Sequence, residues 1–93
     1  KLDQNEWFFL DVREPDEWEQ GHISYATLIP LGQLTSRLSE IPKDKNIVVV
    51  CRSGNRSAVG RDQLLEAGFK YVTSMAGGMK QWRTQGSMVV TGP

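Results

Sequence analysis

The chain has 93 residues, 39% of them hydrophobic, and its 11 Lys and Arg balance 11 Asp and Glu. That is the size of one domain, residues 1–93, with enough apolar material to close a core and no composition bias toward disorder. The longest apolar runs, "WFFL" and "IVVV", fall far short of the roughly 20 residues of a membrane span, no basic-then-apolar signal segment opens the chain, and no Lys/Arg run with interleaved aromatics offers a nucleic-acid face. The first residue is Lys1 rather than Met, which leaves open an excerpt or a processed product of a longer protein.

In chain order, "WFFLDV" (Trp7–Val12) predicts a strand. "REPDEWEQG" follows, with Pro15, Asp16 and Glu17 suited to a first helical turn and Gly21 to a stop. "ATLIP" (Ala26–Pro30) predicts a second strand, and Leu31, Leu34, Leu38 and Ile41 fall at helical spacing before the polar loop "PKDKN". "IVVVC" (Ile47–Cys51) is a continuous apolar run of the kind a strand buried on both faces shows. Ser57 is placed to cap a helix carrying Leu64, Leu65 and Ala67 up to Gly68. "YVTSM" (Tyr71–Met75) and "GGMKQWRTQG" (Gly77–Gly86) add a strand and a short helix before the tail "MVVTGP". The alternation predicts a small α/β domain with an open parallel sheet flanked by helices.

The chemistry concentrates in "VVVCRSGNRS", Val48–Ser57, where the only cysteine ends a predicted strand. One thiol cannot form an internal disulfide, and with one His it makes no structural zinc set. It suits a reducing compartment, and a cytoplasmic location is expected. Ligands of open α/β sheets bind beyond the carboxyl ends of the strands, so Cys51 is expected at the site rather than in the core. A loop closing onto a helix start turns backbone N–H groups inward, where they favour an anion. Free cysteine titrates near ~8.5, and helix N-termini with adjacent Arg lower that by one to several units. Arg52 and Arg56 flank the loop, and Gly54 and Asn55 tolerate left-handed backbone angles. From Cys51 onward six basic residues face only Asp62 and Glu66, so this half favours anions, whereas seven of the 11 acids precede Gly21. A buried inert thiol, the ordinary fate of a lone cysteine, has no use for two guanidinium groups and a glycine turn. Cysteine phosphatases need an Arg six positions after the nucleophile to grip a tetrahedral dianion, but here that position is Ser57, and Arg56 falls one residue early. The shorter ring suits a single sulfur atom carried on the cysteine.

"LDVREPDEWEQGHI" (Leu10–Ile23), "IPLGQL" (Ile29–Leu34), "VVVCRSGNRSA" (Val48–Ala58), "LLEAGFKYV" (Leu64–Val72) and "GGMKQWRTQG" (Gly77–Gly86) together resemble the rhodanese family of sulfurtransferases in order and spacing over most of the chain. The resemblance implies a rhodanese-like fold and a two-step transfer. In it the Cys51 thiolate takes the outer sulfur of a small anionic donor such as thiosulfate, or of a persulfide, and passes it to a thiol, to cyanide or to a protein acceptor. It also implies that the loop residues Arg52, Ser53, Gly54, Asn55, Arg56 and Ser57 bind the substrate and that no metal or organic cofactor is needed. Two other readings are weighed beside it: a non-enzymatic rhodanese-like interaction or redox-sensing module, and a phosphatase or arsenate reductase, which Ser57 disfavours.

Other residues are read structurally. Asp11 and Arg13 are expected to fix a turn by an ion pair, His22 to bond backbone, and Trp18, Trp82, Met79 and Phe69 to pack in the core or at the site rim. The acidic "EPDEWE" is expected to be a solvated helix face or a face that a partner reads. The family pattern is departed from at Ser24-Tyr25, where Pro-Gly is usual, and at Met88, where proline is common, which predicts a looser tail. An extra strand and helix that usually precede the first matched segment are also wanting, which predicts a missing edge strand or a module cut from a longer protein.

Overall fold

A computed structural model describes residues 6–93; residues 1–5, where part of any preceding strand or helix would fall, lie outside it. Four strands, β1 (Trp7–Asp11), β2 (Ala26–Leu28), β3 (Asn46–Val50) and β4 (Val72–Ser74), form one sheet in the order β2-β1-β3-β4, every pair parallel. Three helices, α1 (Pro15–Gln20), α2 (Asn55–Glu66) and α3 (Gly78–Thr84), complete the small α/β fold that the alternation predicts.

Strand periodicity divides the core. Leu10 on the first strand and Val12 just after it, with Ile47 and Val49 on the third and Cys51 just after it, face α2, joined by Ile29, Leu34, Ile41, Leu64 and Phe69. Phe9, Val48 and Val50 point the other way and pack with Ile23, Met79 and the partly buried Trp7, Met75 and Trp82. Both faces of β3 are thus covered, which is why its sequence reads as an unbroken apolar run. At roughly 1.5–3 kcal/mol for each fully buried aliphatic side chain, this central strand anchors the domain.

Chain order also locates the site. From β1 the chain steps outward to β2, and from β3 it steps the opposite way to β4, so the direction of winding reverses between β1 and β3. A crevice at the carboxyl ends of two such strands is the usual ligand site of open α/β sheets. Val12 and Cys51 emerge there side by side, tied by the Val12 N–H to the Val50 carbonyl at 2.9 Å.

Three sequence expectations need correction. The leucine-spaced stretch Leu31–Ile41 is not one helix but two 3-10 helices, Leu31–Ser36 and Leu38–Glu40, broken at Arg37 with φ −124°. The Ser36 hydroxyl donates to the Gln33 carbonyl at 2.9 Å, a local bond that competes with a continuing helix, and Gly32 adds backbone freedom. The helix expected to start at a Ser57 cap begins at Asn55 instead, with Gly54 as its cap, and Ser57 lies buried within its first turn. The tail is not loose throughout: Val90 and His22 exchange both backbone hydrogen bonds at 2.8 Å, and the Trp82 indole donates to the Met88 carbonyl at 3.0 Å while the Met88 side chain stands in solvent.

Candidate functional site

The loop from Cys51 to Gly54 is held from two sides. The backbone N–H groups of Met79 and Lys80, at the start of α3, donate to the carbonyls of Cys51 and Arg52 at 2.8 and 2.9 Å. With its carbonyls committed outward to α3, the loop presents N–H groups to the thiol: that of Gly54 lies 2.9 Å from Cys51 Sγ. Gly54 adopts φ +112°, a left-handed angle that turns the chain from the loop into α2.

The thiol is both at the site and in the core. Cys51 is 1% exposed and belongs to the cluster beneath α2, so the expectation that it stands outside the core is corrected. β3 ends one residue earlier, and its alternation still directs the Cys51 side chain inward.

Ser57 completes the cradle. Its Oγ lies 3.4 Å from Cys51 Sγ, 3.0 Å from the Gly54 carbonyl and 2.6 Å from Ser74 Oγ at the end of β4. When the sulfur carries its proton, the thiol donates to Ser57 and Ser57 to the Gly54 carbonyl. When the proton leaves, the Ser57 hydroxyl turns to the thiolate and accepts a hydrogen bond from Ser74. Burial pushes the Cys51 pKa up, but the hydrogen bonds from the Ser57 hydroxyl and from the N–H groups of Ser57, Gly54 and Ser53 outweigh it, and the net direction is down. Thiolate ultraviolet absorbance followed against pH, with Cys51→Ser as baseline, is therefore expected to titrate below the ordinary ~8.5. Ser57→Ala is expected to move the midpoint upward, and an unchanged midpoint would remove Ser57 from this role.

Arg56 is not a free cation. Its guanidinium grips Glu17 through two hydrogen bonds, 2.7 and 2.8 Å, across 39 residues of chain. Glu17 is fixed in turn by a capping box, its Oε1 accepting the Glu14 N–H at 2.9 Å. The acidic segment is thus not wholly a solvated face. The Arg56 hydrogen bonds, against a smaller opposing effect of burial, lower the Glu17 pKa from 4.5 to about 2. Because the folded value is the depressed one, the clasp is intact above the ordinary carboxylate range and opens only as pH falls from about 4.5 toward 2.

Arg52 and Asn55 are exposed, Ser53 is exposed beside them, and Ser57 is buried. Arg52 instead borders a cleft of about 270 Å³ between α1, the loop and α3, together with Glu17, Gln20, Met79, Lys80 and Arg83. Lys80 and Arg83 carry no sequence signal beyond the basic bias of the C-terminal half. Ser74 carries none either, since only the register of β4 brings it to the loop.

The residues read as structural are so placed. Asp11 and Arg13 form a buried pair, Arg13 Nη2 to Asp11 Oδ2 at 2.8 Å, and the same nitrogen donates to the Gly21 carbonyl at 2.9 Å. His22 Nδ1 lies 2.7 Å from the Trp18 carbonyl, and its ring stacks on Trp18 with centroids 3.6 Å apart, far from any role as a base. Met79 and Phe69 are buried. Tyr25, in the departing Ser24-Tyr25 turn, sets its ring edge-on to Phe9 at 5.2 Å with 41% of the residue exposed.

Comparison with known proteins shows the family and the fold. The family described as the rhodanese-like domain matches residues 1–85. A sulfurtransferase of Allochromatium vinosum is 36% identical over 88 residues, covering 95% of this chain and 82% of that protein. Thiosulfate sulfurtransferase 16 of Arabidopsis thaliana, a chloroplastic protein, is 36% identical over 90 residues, covering 84% of this chain and 75% of the relative. Against two relatives from Bacillus subtilis and one from Mycobacterium tuberculosis the chain spans 45%, 58% and 20% of their length, and against a third from Bacillus subtilis 74%. Among solved structures, a rhodanese-related protein from Thermoplasma volcanium superposes with TM-score 0.88 at 33% identity, over 95% of this chain and 87% of that one.

Proposed function

The chain belongs to the rhodanese-like family, whose members include sulfurtransferases, and from that premise we propose that it moves a sulfane sulfur by way of a Cys51 persulfide. The observation that carries the reading is the sulfur's position, 2.9 Å from the Gly54 N–H at the start of α2, with its pKa drawn down. A thiolate so prepared is a nucleophile without needing a neighbouring base.

In the first half-reaction the thiolate attacks the outer sulfur of thiosulfate or of a persulfide. A sulfur–sulfur bond forms to Cys51, the donor's own sulfur–sulfur bond breaks, and its electron pair leaves on sulfite or on the donor thiolate. The negative charge then sits on the terminal sulfur, where the N–H groups of the Arg52–Ser57 loop stabilise it. Arg52, beside Ser53 and Asn55, draws the anionic donor in. Arg56, its charge offset by Glu17, serves by holding the start of α2 against α1. In the second half-reaction an external thiol, cyanide or a protein acceptor takes the sulfur, because the chain's single cysteine leaves no internal resolving partner. Such a thiol functions in a reducing compartment such as the cytoplasm. Among the described residues no helix is long and apolar enough to cross a membrane.

Intact mass after thiosulfate or persulfide treatment tests the proposal. A gain of one sulfur atom, absent in Cys51→Ser and removed by cyanide, is expected. A folded protein that gains nothing from either donor would overturn it.

A further inference from the structure

We propose that the cleft beside the Cys51 loop is a subsite for the body of the sulfur donor, and that this donor is the persulfide of a small thiol bearing two or more negative charges. The inference rests on the reading of Cys51 as the sulfur carrier and adds to it the class of molecule that loads it.

The charges lining the cleft do not cancel within the chain. Arg13 is committed to Asp11 and to main-chain carbonyls, and Glu17 is committed to Arg56. Three cations remain. Arg52 and Lys80 make no side-chain hydrogen bond or ion pair with the described residues, and Arg83 spends one N–H on the Gln20 carbonyl at 3.3 Å. They are not scattered over a surface, since the Lys80 N–H to the Arg52 carbonyl, 2.9 Å, fixes α3 against the loop. Three like charges around one concavity repel one another, and an anion between them relieves that cost.

Size narrows the class. At about 270 Å³ the cleft has far more room than a thiosulfate ion fills. The cations line the cleft beside the loop, so the donor's charges belong on the body that carries its sulfur, while buried Met79 offers an apolar wall to its methylene groups. Cys51 thiolate bonds to the outer sulfur, the donor's sulfur–sulfur bond breaks, and the electron pair departs on the donor thiolate. The proton of the transferred sulfur passes to the departing thiolate, which leaves the persulfide anion in the loop, and no oxidant or reductant enters.

The test compares persulfides of mercaptosuccinate, 2-mercaptoethyl phosphate and neutral 2-mercaptoethanol by their rates of loading Cys51. At least one dianionic donor is expected to exceed the neutral one about tenfold in kcat/KM, whichever anion is preferred naming the group as carboxylate or phosphate. In Lys80→Glu/Arg83→Glu that ratio is expected to fall to near one, through KM. Lys80→Glu alone, which breaks no hydrogen bond, shifts it in the same direction by a few-fold. No preference in the unaltered protein, or an unchanged ratio in both variants, overturns the subsite while leaving the carrier reading intact. Failure of all three donors to load a folded protein overturns the carrier reading and the subsite with it.

Discussion

Gly78→Ala is expected to cost this domain a large share of its stability and nearly all of its sulfur transfer. Gly78 sits at φ +55° at the start of α3, and a methyl group there runs into the Cys51 carbonyl and lies 2.7 Å from the carbonyl carbon and oxygen of Arg52. The left-handed angle costs roughly 1–2 kcal/mol for a residue with a side chain. Overpacking against backbone that cannot rotate away adds about 1–3 kcal/mol. The sum is comparable to much of the ~5–15 kcal/mol that holds a domain together. The chain relieves the clash either by unfolding or by moving α3 off the loop, and the second route frees the Cys51 and Arg52 carbonyls and turns the loop's N–H groups away from the sulfur. Thermal unfolding is expected to fall by roughly 10–30 °C, at about 4–8 °C for each kcal/mol in a domain of this size. Gly86→Ala, at φ +78° in open space, isolates the cost of the angle. Equal effects at the two positions would mean that the clash with the loop contributes nothing.

Arg13→Met is expected to destabilise by about 3–5 kcal/mol, measured by urea unfolding. Arg13 is 3% exposed and Asp11 0%, and the guanidinium binds both Asp11 oxygens as well as the Gly21 carbonyl. Removing it strands a carboxylate in the interior at the carboxyl end of β1, where water cannot replace the lost donors. Adding Asp11→Leu should recover part of the loss, since removing both partners of a buried pair leaves no stranded charge. A single-variant effect below about 1 kcal/mol, the range of exposed pairs, would show that the pair is solvated.

The layout was readable in the sequence where one physical constraint dominated. Ile47–Val50 announced a strand covered on both faces because nothing but Ile and Val occurs there, and Pro15 with the acids after it marked the start of α1. The Arg-Ser-Gly-Asn-Arg-Ser run after Cys51 announced the loop because those residue types serve a tight turn better than a core. Leu31–Ile41 misled because its leucine spacing fits either helix type, and local hydroxyl bonding decided between them. Long-range pairing was invisible. Nothing in "EPDEWE" says that Glu17, rather than Asp16 or Glu19, meets Arg56, because that choice depends on how α1 lies against α2 in three dimensions. The proximity of Ser74 to Ser57, and the gathering of Lys80 and Arg83 around the cleft, follow from strand register and helix placement in the same way.

Among the described residues the outer strands of the sheet, β2 and β4, are only three residues long, each with one exposed threonine at its centre. Edges this short give a foreign strand too few unpaired amides to add itself in register. A domain bounded in this way stands beside other folded units without its sheet fusing to theirs, which suits an architecture that fills most of some relatives and a fifth of others.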